Sequence, residues 1–431
     1  MSESGLRVFG RVIPLYVQIL IALAAAVLLG IALGAGNPSP ANAEFANKLV
    51  IPCKLILKML SALATPLILF AILNSFLKTS IPGRTGRRLA FLLLTNTIAA
   101  ILIGLLVANI VRPGSWEKFG DPGGSAALSK SFDPWGLLQE SVPEAVLQPL
   151  VNNNVIQLLV VGLAFGIAMR AIKTELMEQG KGEVFQPIEN VISVLFDTVI
   201  RVLTWVIALV PIAVFGIVSR TVAIQGFSPF KALAIFIVAV LLGLFFQMCF
   251  YLTRVSFGSW VSPRQFLSSG VDAFLTAFST DSSTATMPVT YRGLVNKLGV
   301  RESSASLGAL IGANFNNDGT ALYESMSALF IAQVLDLNLS LEQQFVVVLT
   351  SIFASVGAAG IPEAGLVTMT LVFGAVGLPT QYIAILITVD WFLDRCRTVL
   401  NVMGDMTVSC LIDGKVAQTV DRLTDEELPA A

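Results

Sequence analysis

Histidine is absent from the 431-residue chain, which excludes imidazole metal ligands, histidine-based catalytic triads and histidine proton relays at once. Cysteine is scarce: Cys53, Cys249, Cys396 and Cys410 share no CxxC or ligand spacing. Neither a disulfide framework nor a zinc site is indicated, and the four read as small apolar residues. Charge is also thin, at 13% of residues with a net value of −1. No basic excess points to nucleic acid. What fills the chain instead is apolar: 55% hydrophobic residues and a mean hydropathy of +0.80. That is too apolar for a soluble multidomain protein and predicts a polytopic membrane protein. Any proton chemistry must fall to Asp or Glu.

A membrane span needs about 20 apolar residues. Long apolar runs lie near 12–35, 49–77, 88–111, 143–170, 189–219 and 229–255, and these predict six full helices. The run from Val12 to Ala35 ends in no convincing cleavage pattern, so it reads as a span and not a removable signal. Arg7 and Arg11 precede it, no Lys or Arg lies between Val12 and Asn47, and Lys78, Arg84, Arg87 and Arg88 crowd a later short loop. The excess of cations on one side predicts a cytoplasmic N-terminus. The polar segment from Pro113 to Pro143 is expected to be an extracytoplasmic loop.

Beyond about residue 260 the apolar runs are interrupted too centrally for ordinary loops. TDSSTATMPVT (Thr280 to Thr290) and ASVGAAGIPEAG (Ala354 to Gly365) each split an apolar region into pieces too short to span. Non-helical backbone at membrane depth must be buried in protein or line a cavity, and paired broken segments point to a transporter built from inverted repeats. Between them GANFNNDGTALYES (Gly312 to Ser325) reads as a helix unwound at its midpoint. Its freed carbonyls and Asn and Asp oxygens are hard ligands suited to small cations.

The stretch DWFLDRCRTVLNVMGD (Asp390 to Asp405) is the costliest part of the chain. One charge at the bilayer centre costs roughly 2.5–3.5 kcal/mol on insertion scales, so an intramembrane cluster is by default a substrate or ion site. At about 100° per residue, Asp390, Asp394, Arg397, Thr398, Asn401 and Asp405 share one helix face. The bland alternatives are that Arg395 and Asp390 serve as structural ion-pair partners, and that Asp318 and Asp405 cap unwound helix ends.

Together SSTATMPVT, NNDGTALYE, AAGIPEAGLVTM and DWFLDRCRTVLNVMGD, in this order and spacing, resemble the dicarboxylate/amino acid:cation symporter family, which includes the excitatory amino acid transporters and prokaryotic homologues. The resemblance implies an all-α polytopic membrane protein of eight transmembrane helices plus two re-entrant helical hairpins, arranged as inverted repeats with a scaffold and a mobile transport domain. It implies scaffold and trimerisation helices at 12–77 and 143–220, a transport domain at 88–111 and 229–413 with hairpins near 264–292 and 342–376, and a cytoplasmic tail at 414–431. It further implies a homotrimer in the cell (inner) membrane with both termini cytoplasmic, no organic cofactor and no covalent step on the substrate, Na+ or H+ as coupled ions, and an elevator-type movement.

By the same resemblance Asp394 would receive a substrate amino group and Arg397 its side-chain carboxylate. A planar guanidinium matching a carboxylate bidentately is sound independently of family. Thr320, Thr398 and Asn401 would add neutral hydrogen bonds, Ser282 and Ser283 would meet the α-carboxylate, and Ile361 and Gly365 would belong to a gate closing from the second hairpin. One cation would sit at Asp405 with Asn316 and the backbone of Gly312 and Asn401. A second would lie near Asp318, Asn316, Thr95 and Asn96, and a third among Asn314, Ser355, Val356 and Ala358. Glu324 resembles a proton carrier, since burial of a carboxyl group in a low dielectric favours its neutral form; Glu363 is a second protonatable group or a solvated gate residue. The sequence departs from the pattern at Asn317, where Met is usual, at Asn314, where Thr is common, and at Leu92, where Tyr is frequent.

An acidic amino acid satisfies both charged ligands: a C4-dicarboxylate lacks the amine and would be repelled by Asp394, and a neutral amino acid has no use for Arg397. An intramembrane aspartyl protease calls for GxGD, where this chain reads VMGD with Val402 in place of the first glycine. An anion channel remains a further alternative, with arginines beside a water-filled path.

Overall fold

The computed structural model describes residues 6–8, 11–78, 83–116, 142–152, 154–357 and 364–416. Most of the expected 113–143 loop and 414–431 tail lies outside the described residues, as do Ala358, Ile361 and Glu363. Apart from an antiparallel ladder pairing Leu6–Val8 with Arg11–Ile13, the regular elements described are helical.

The N-terminal part comprises α1 (Leu15–Leu33), α2 (Pro40–Lys48), α3 (Ile51–Lys78), α4 (Gly83–Val111), α5 (Gln148–Asn152), α6 (Val155–Glu178), α7 (Gln186–Ile207), α8 (Val210–Gln225) and α9 (Ser228–Gly258). Two expected single helices are divided. The 143–170 run becomes α5 and α6, with Asn154 capping α6 through its side-chain oxygen on the Gln157 amide. The 189–219 run becomes α7 and α8, broken at Ala208–Leu209, where Pro211 sits in the first turn of α8. A proline lacks the N–H that a continuous helix requires but is tolerated in a first turn, so its presence fixes a start there.

Among the described residues, five helical stretches are long and apolar enough to cross a membrane: Leu15–Leu33, Pro40–Asn74, Thr85–Ser115, Gly182–Gln225 and Ser228–Gly258. Their outer faces expose Leu28, Leu102, Leu106, Ile110 and Phe245, while carboxylates, amides and hydroxyls of the C-terminal half are buried. An apolar exterior around a polar interior suits a lipid environment. The protein is an all-α polytopic membrane protein.

In the C-terminal half, α10 (Pro263–Thr280) and α11 (Ser283–Arg292) are joined by Asp281 and Ser282 alone and pack on each other. The interruption is therefore narrower than the eleven-residue segment expected: STATMPVT is helical, including Pro288. Asp281 turns the chain at φ 55°, a left-handed conformation that Asp tolerates better than most residues. Glu302–Ser306, Leu307–Ile311 and Gly312–Phe315 run on as α12, with a π-helical middle segment. Asn316 and Asn317 leave helical geometry, and α13 (Asp318–Val334) resumes. The expected midpoint unwinding is thus confined to two asparagines. Helix α14 (Leu341–Gly357) precedes α15 (Ala364–Ala375), against which it packs, and α16 (Ile383–Asp413) closes the described chain. Helix α16 is central: it contacts α9, α10, α11, α13 and α15.

Candidate functional site

The polar face expected on α16 is real and faces inward: Asp390, Asp394, Arg397, Thr398, Asn401 and Asp405 are all buried. Arg397 is wholly inaccessible. Its Nη1 lies 3.0 Å from Asp390 Oδ1, its Nε donates to Asp394 Oδ1 at 3.2 Å and its Nη2 donates to the same oxygen. The guanidinium also lies over the Tyr323 ring, 4.0 Å from its centroid. Two carboxylates and a π-face are a strong environment for one delocalised cation.

Arg395 diverges from this cluster. Its Nη1 donates to the Phe278 and Ser279 carbonyls at 2.7 and 2.9 Å, and its guanidinium lies 5.0 Å from the Tyr16 ring centroid. It thereby satisfies orphan carbonyls at the C-terminus of α10, where a cation is favoured by the helix dipole. The role is structural, but it is met by backbone carbonyls and a ring and not by the ion-pair partner considered from sequence.

From the α10–α11 turn, Ser282 caps α11 by accepting from the Ala285 amide at 3.1 Å, and Ser283 Oγ donates to the Ala313 carbonyl at 3.1 Å. Asp281 accepts from Thr398 Oγ1 at 3.3 Å, which brings a fourth acidic side chain to the α16 face. Sequence reasoning did not assign it a role; an Asp at the turn of a broken apolar segment was the available signal. From α13, Thr320 is buried in the first turn, and the Gly319 amide donates to Asn401 Oδ1 at 2.8 Å. On α15, Gly365 lies beside the Arg397 guanidinium.

The Asp405 region converges as expected. Asn316 Nδ2 donates to the Asn401 carbonyl and to Asp405 Oδ1, both at 3.1 Å, and the Asn316 amide donates to the Gly312 carbonyl at 2.7 Å. Asn316 Oδ1 is buried without a hydrogen-bond partner among the described residues. Close approach here needs glycine: a methyl on Gly312 would collide with the Asp405 carboxylate, and one on Gly404 with Asn316 Nδ2 and the Tyr251 hydroxyl.

Elsewhere protein donors already engage the expected cation ligands. Asp318 Oδ1 accepts from Thr97 Oγ1 at 2.6 Å, and Oδ2 accepts from the Tyr251 hydroxyl. Thr95 Oγ1 and Asn96 Oδ1 both accept from Arg254 Nη1. Asn317 Nδ2 donates to the Ser355 carbonyl at 2.9 Å, Ser355 Oγ turns to the Ile352 carbonyl, and Asn314 Nδ2 turns to the Leu310 carbonyl. The described backbone of α14 includes Val356. Tyr251 and Arg254 were not singled out from sequence, although with Gln247 they form a polar i, i+4, i+7 stripe on apolar α9.

Glu324 is fully buried on α13. Thr368 Oγ1 on α15 donates to its Oε1, and Oε2 has no hydrogen-bond partner among the described residues.

A buried, charge-bearing polar core inside a lipid-suited shell defines a membrane carrier. Residues 15–415 match the Sodium:dicarboxylate symporter family, and the chain belongs to it. The chain is 30% identical to excitatory amino acid transporter 3 of Oryctolagus cuniculus, over 90% of this chain and 83% of that protein. It is also 30% identical to excitatory amino acid transporter 4 of Mus musculus, over 90% and 81%, and 29% identical to excitatory amino acid transporter 2 of Homo sapiens, over 85% and 73%. The protein is a symporter and not an enzyme, and sodium is the coupled ion that its family implies.

Proposed function

We propose that this protein is a secondary active symporter of L-glutamate and L-aspartate, driven by Na+, with a proton carried on Glu324. The observation that carries the reading is the double engagement of Arg397 by Asp390 and Asp394. A substrate side-chain carboxylate offers the guanidinium an equivalent partner and displaces Asp394, which is then free to receive the substrate amino group. A zwitterion bearing one extra carboxylate completes both exchanges, whereas succinate completes one and leaves Asp394 facing a like charge.

Thr320, Thr398 and Asn401 supply neutral hydrogen bonds, Ser282 and Ser283 approach the α-carboxylate from the α10–α11 turn, and Ile361 and Gly365 belong to the closing side. Na+ is held at Asp405 by the Asn316 amide oxygen and the carbonyls of Gly312 and Asn401. The unpartnered Asn316 Oδ1 supports this, because amide rotation would aim it at a cation already facing Asp405. The carbonyls of Ser355, Val356 and Ala358, with Asn314, form a further candidate position.

Helices over 12–77 and 143–220 act as scaffold in a homotrimer, and 88–111 with 229–413 move as a transport domain with the hairpins near 264–292 and 342–376. The protein resides in the cell (inner) membrane with cytoplasmic termini, including the 414–431 tail. The test is uptake of labelled aspartate, glutamate and succinate into proteoliposomes under separately imposed Na+, H+ and K+ gradients. Uptake of both amino acids with an inward Na+ gradient supports the reading; preferential uptake of succinate, or uptake indifferent to every cation gradient, refutes it.

A further inference from the structure

Arg254 sits in the last turns of α9, where a cation would ordinarily be read as an anchor at the edge of the membrane. Its side chain is instead turned into the protein. Three oxygens converge on the single nitrogen Nη1: Thr95 Oγ1 at 3.1 Å, the Leu92 carbonyl at 3.5 Å, and Asn96 Oδ1. That nitrogen has two hydrogens, so three acceptors around it outnumber its donors. The Asp318 carboxylate adds an electrostatic attraction.

The three oxygens are committed to this point. Thr95 Oγ1 donates its own proton to the carbonyls of Phe91 and Leu92, leaving a lone pair toward Arg254. Asn96 is fully buried, and its amide points oxygen at the guanidinium while Nδ2 has no hydrogen-bond partner among the described residues. An orphaned buried NH2 is unfavourable by about 1–3 kcal/mol, so the orientation is held by attraction between the amide oxygen and positive charge. A hydroxyl, an amide oxygen and a carbonyl are ligand types of a small hard cation, and the Asp318 carboxylate lies within electrostatic reach.

We propose that Arg254 is a tethered cation: its guanidinium permanently fills a cation position beside Asp318, so this carrier completes its cycle without a mobile ion there. The inference rests on the symporter reading for its consequence in transport, but its structural content stands apart from substrate. A guanidinium fixed to α9 holds positive charge in the electrostatic field of Asp318 without dissociating. The number of cations moved with each substrate is therefore one fewer than in a variant where that position is vacated. The polar stripe of α9 serves the same end, since Gln247 Nε2 donates to the Asn96 carbonyl at 3.3 Å and Tyr251 donates to Asp318.

The test uses the full-length protein with Arg254→Met, Arg254→Gln and Arg254→Lys. Thermal unfolding is followed without substrate as NaCl replaces choline chloride at constant ionic strength. Both neutral variants are expected to gain a saturable Na+-specific rise in Tm, at least about 3 °C beyond that of the unsubstituted protein, as for any ligand binding only the native state. Arg254→Lys should show no such gain. Equal Na+ responses in all four proteins overturn the proposal. So does a neutral variant that unfolds alike in choline and in Na+, because a vacated cation position must be rescued by the ion. Reversal potentials in proteoliposomes then count charge per substrate, with one additional Na+ expected for Arg254→Met; an unchanged count overturns the proposal. If no protein transports acidic amino acids yet the neutral variants gain the Na+ response, the substrate reading fails and the tethered cation stands.

Discussion

Arg397 Nη1 lies 3.0 Å from Asp390 Oδ1, with neither side chain accessible to solvent. Asp394 engages the other side of the same guanidinium. Such a triad is self-sufficient in charge only in part, since two carboxylates face one cation. It is stable when closed and poised for exchange, because losing one carboxylate to an incoming one leaves the count of partners unchanged.

Replacement of Arg397 separates recognition from folding. Arg397→Ala leaves two buried carboxylates without their cation, and breaking a buried pair in this way destabilises by about 3–5 kcal/mol. Aspartate and glutamate affinity should fall by about 100-fold or more, the usual consequence of truncating one partner of a desolvated charge pair, and neutral amino acids should begin to compete. Arg397→Lys keeps the charge but not the planar fork, and should recover stability more than affinity. Competition uptake alongside thermal unfolding reads both effects, and unchanged glutamate and aspartate affinity in Arg397→Ala refutes the assignment.

Glu324 is held through one oxygen by Thr368, and Arg397 acts on it electrostatically. Glu324→Gln keeps the shape of the group and removes its titration. The expected result is transport whose dependence on external pH between 5 and 8 is flattened, with substrate affinity retained within about threefold, a change of under 1 kcal/mol. Thr368→Val should instead leave pH dependence in place while shifting its midpoint. An unaltered pH profile in Glu324→Gln removes Glu324 as the proton carrier.

The α16 stripe was legible because charges in an apolar setting at a helical period have few explanations other than a buried polar face, and all six stripe residues are buried. The unwound segment was legible for a related reason: Asn316 and Asn317 are poor continuations of an apolar helix, and both leave helical geometry. Arg254 was not legible. It lies at the end of an apolar run, where sequence rules make an arginine a boundary marker, and only the packing of α9 on α4 turns it inward. The break between α7 and α8 was hidden because Ala208 and Leu209 are as apolar as their neighbours, leaving Pro211 as the sole local clue. The segment Thr280 to Thr290 misled in the opposite direction, since α11 runs through most of it and accommodates Pro288.

Arg395 provides a control on the same helix. Its role at the Phe278 and Ser279 carbonyls predicts that Arg395→Gln loses about 0.5–1 kcal/mol through weakened capping of α10, with little change in cation dependence. Hydrogen exchange at α10 amides should accelerate relative to those of α13. Loss of Na+ dependence with unchanged exchange would contradict the capping role.

Gly404 tests the Asp405 region without removing any ligand. A methyl there would meet Asn316 Nδ2 and the Tyr251 hydroxyl, so the two helices must separate or the Asn316 amide must rotate. Either displaces the group that bridges Asp405 and the Asn401 carbonyl. Overpacking of a tight interface typically costs about 1–3 kcal/mol. Gly404→Ala is therefore expected to unfold at lower temperature and to need about 10-fold more Na+ for half-maximal aspartate uptake, by displacement of cation ligands. The apparent affinity for aspartate measured at saturating Na+ should change less than the affinity for Na+, because Arg397 and Asp394 lie about two and about three turns away along α16. A variant with normal Na+ affinity and selectively weakened aspartate binding would show that Asn316 and Asp405 do not hold the coupled ion.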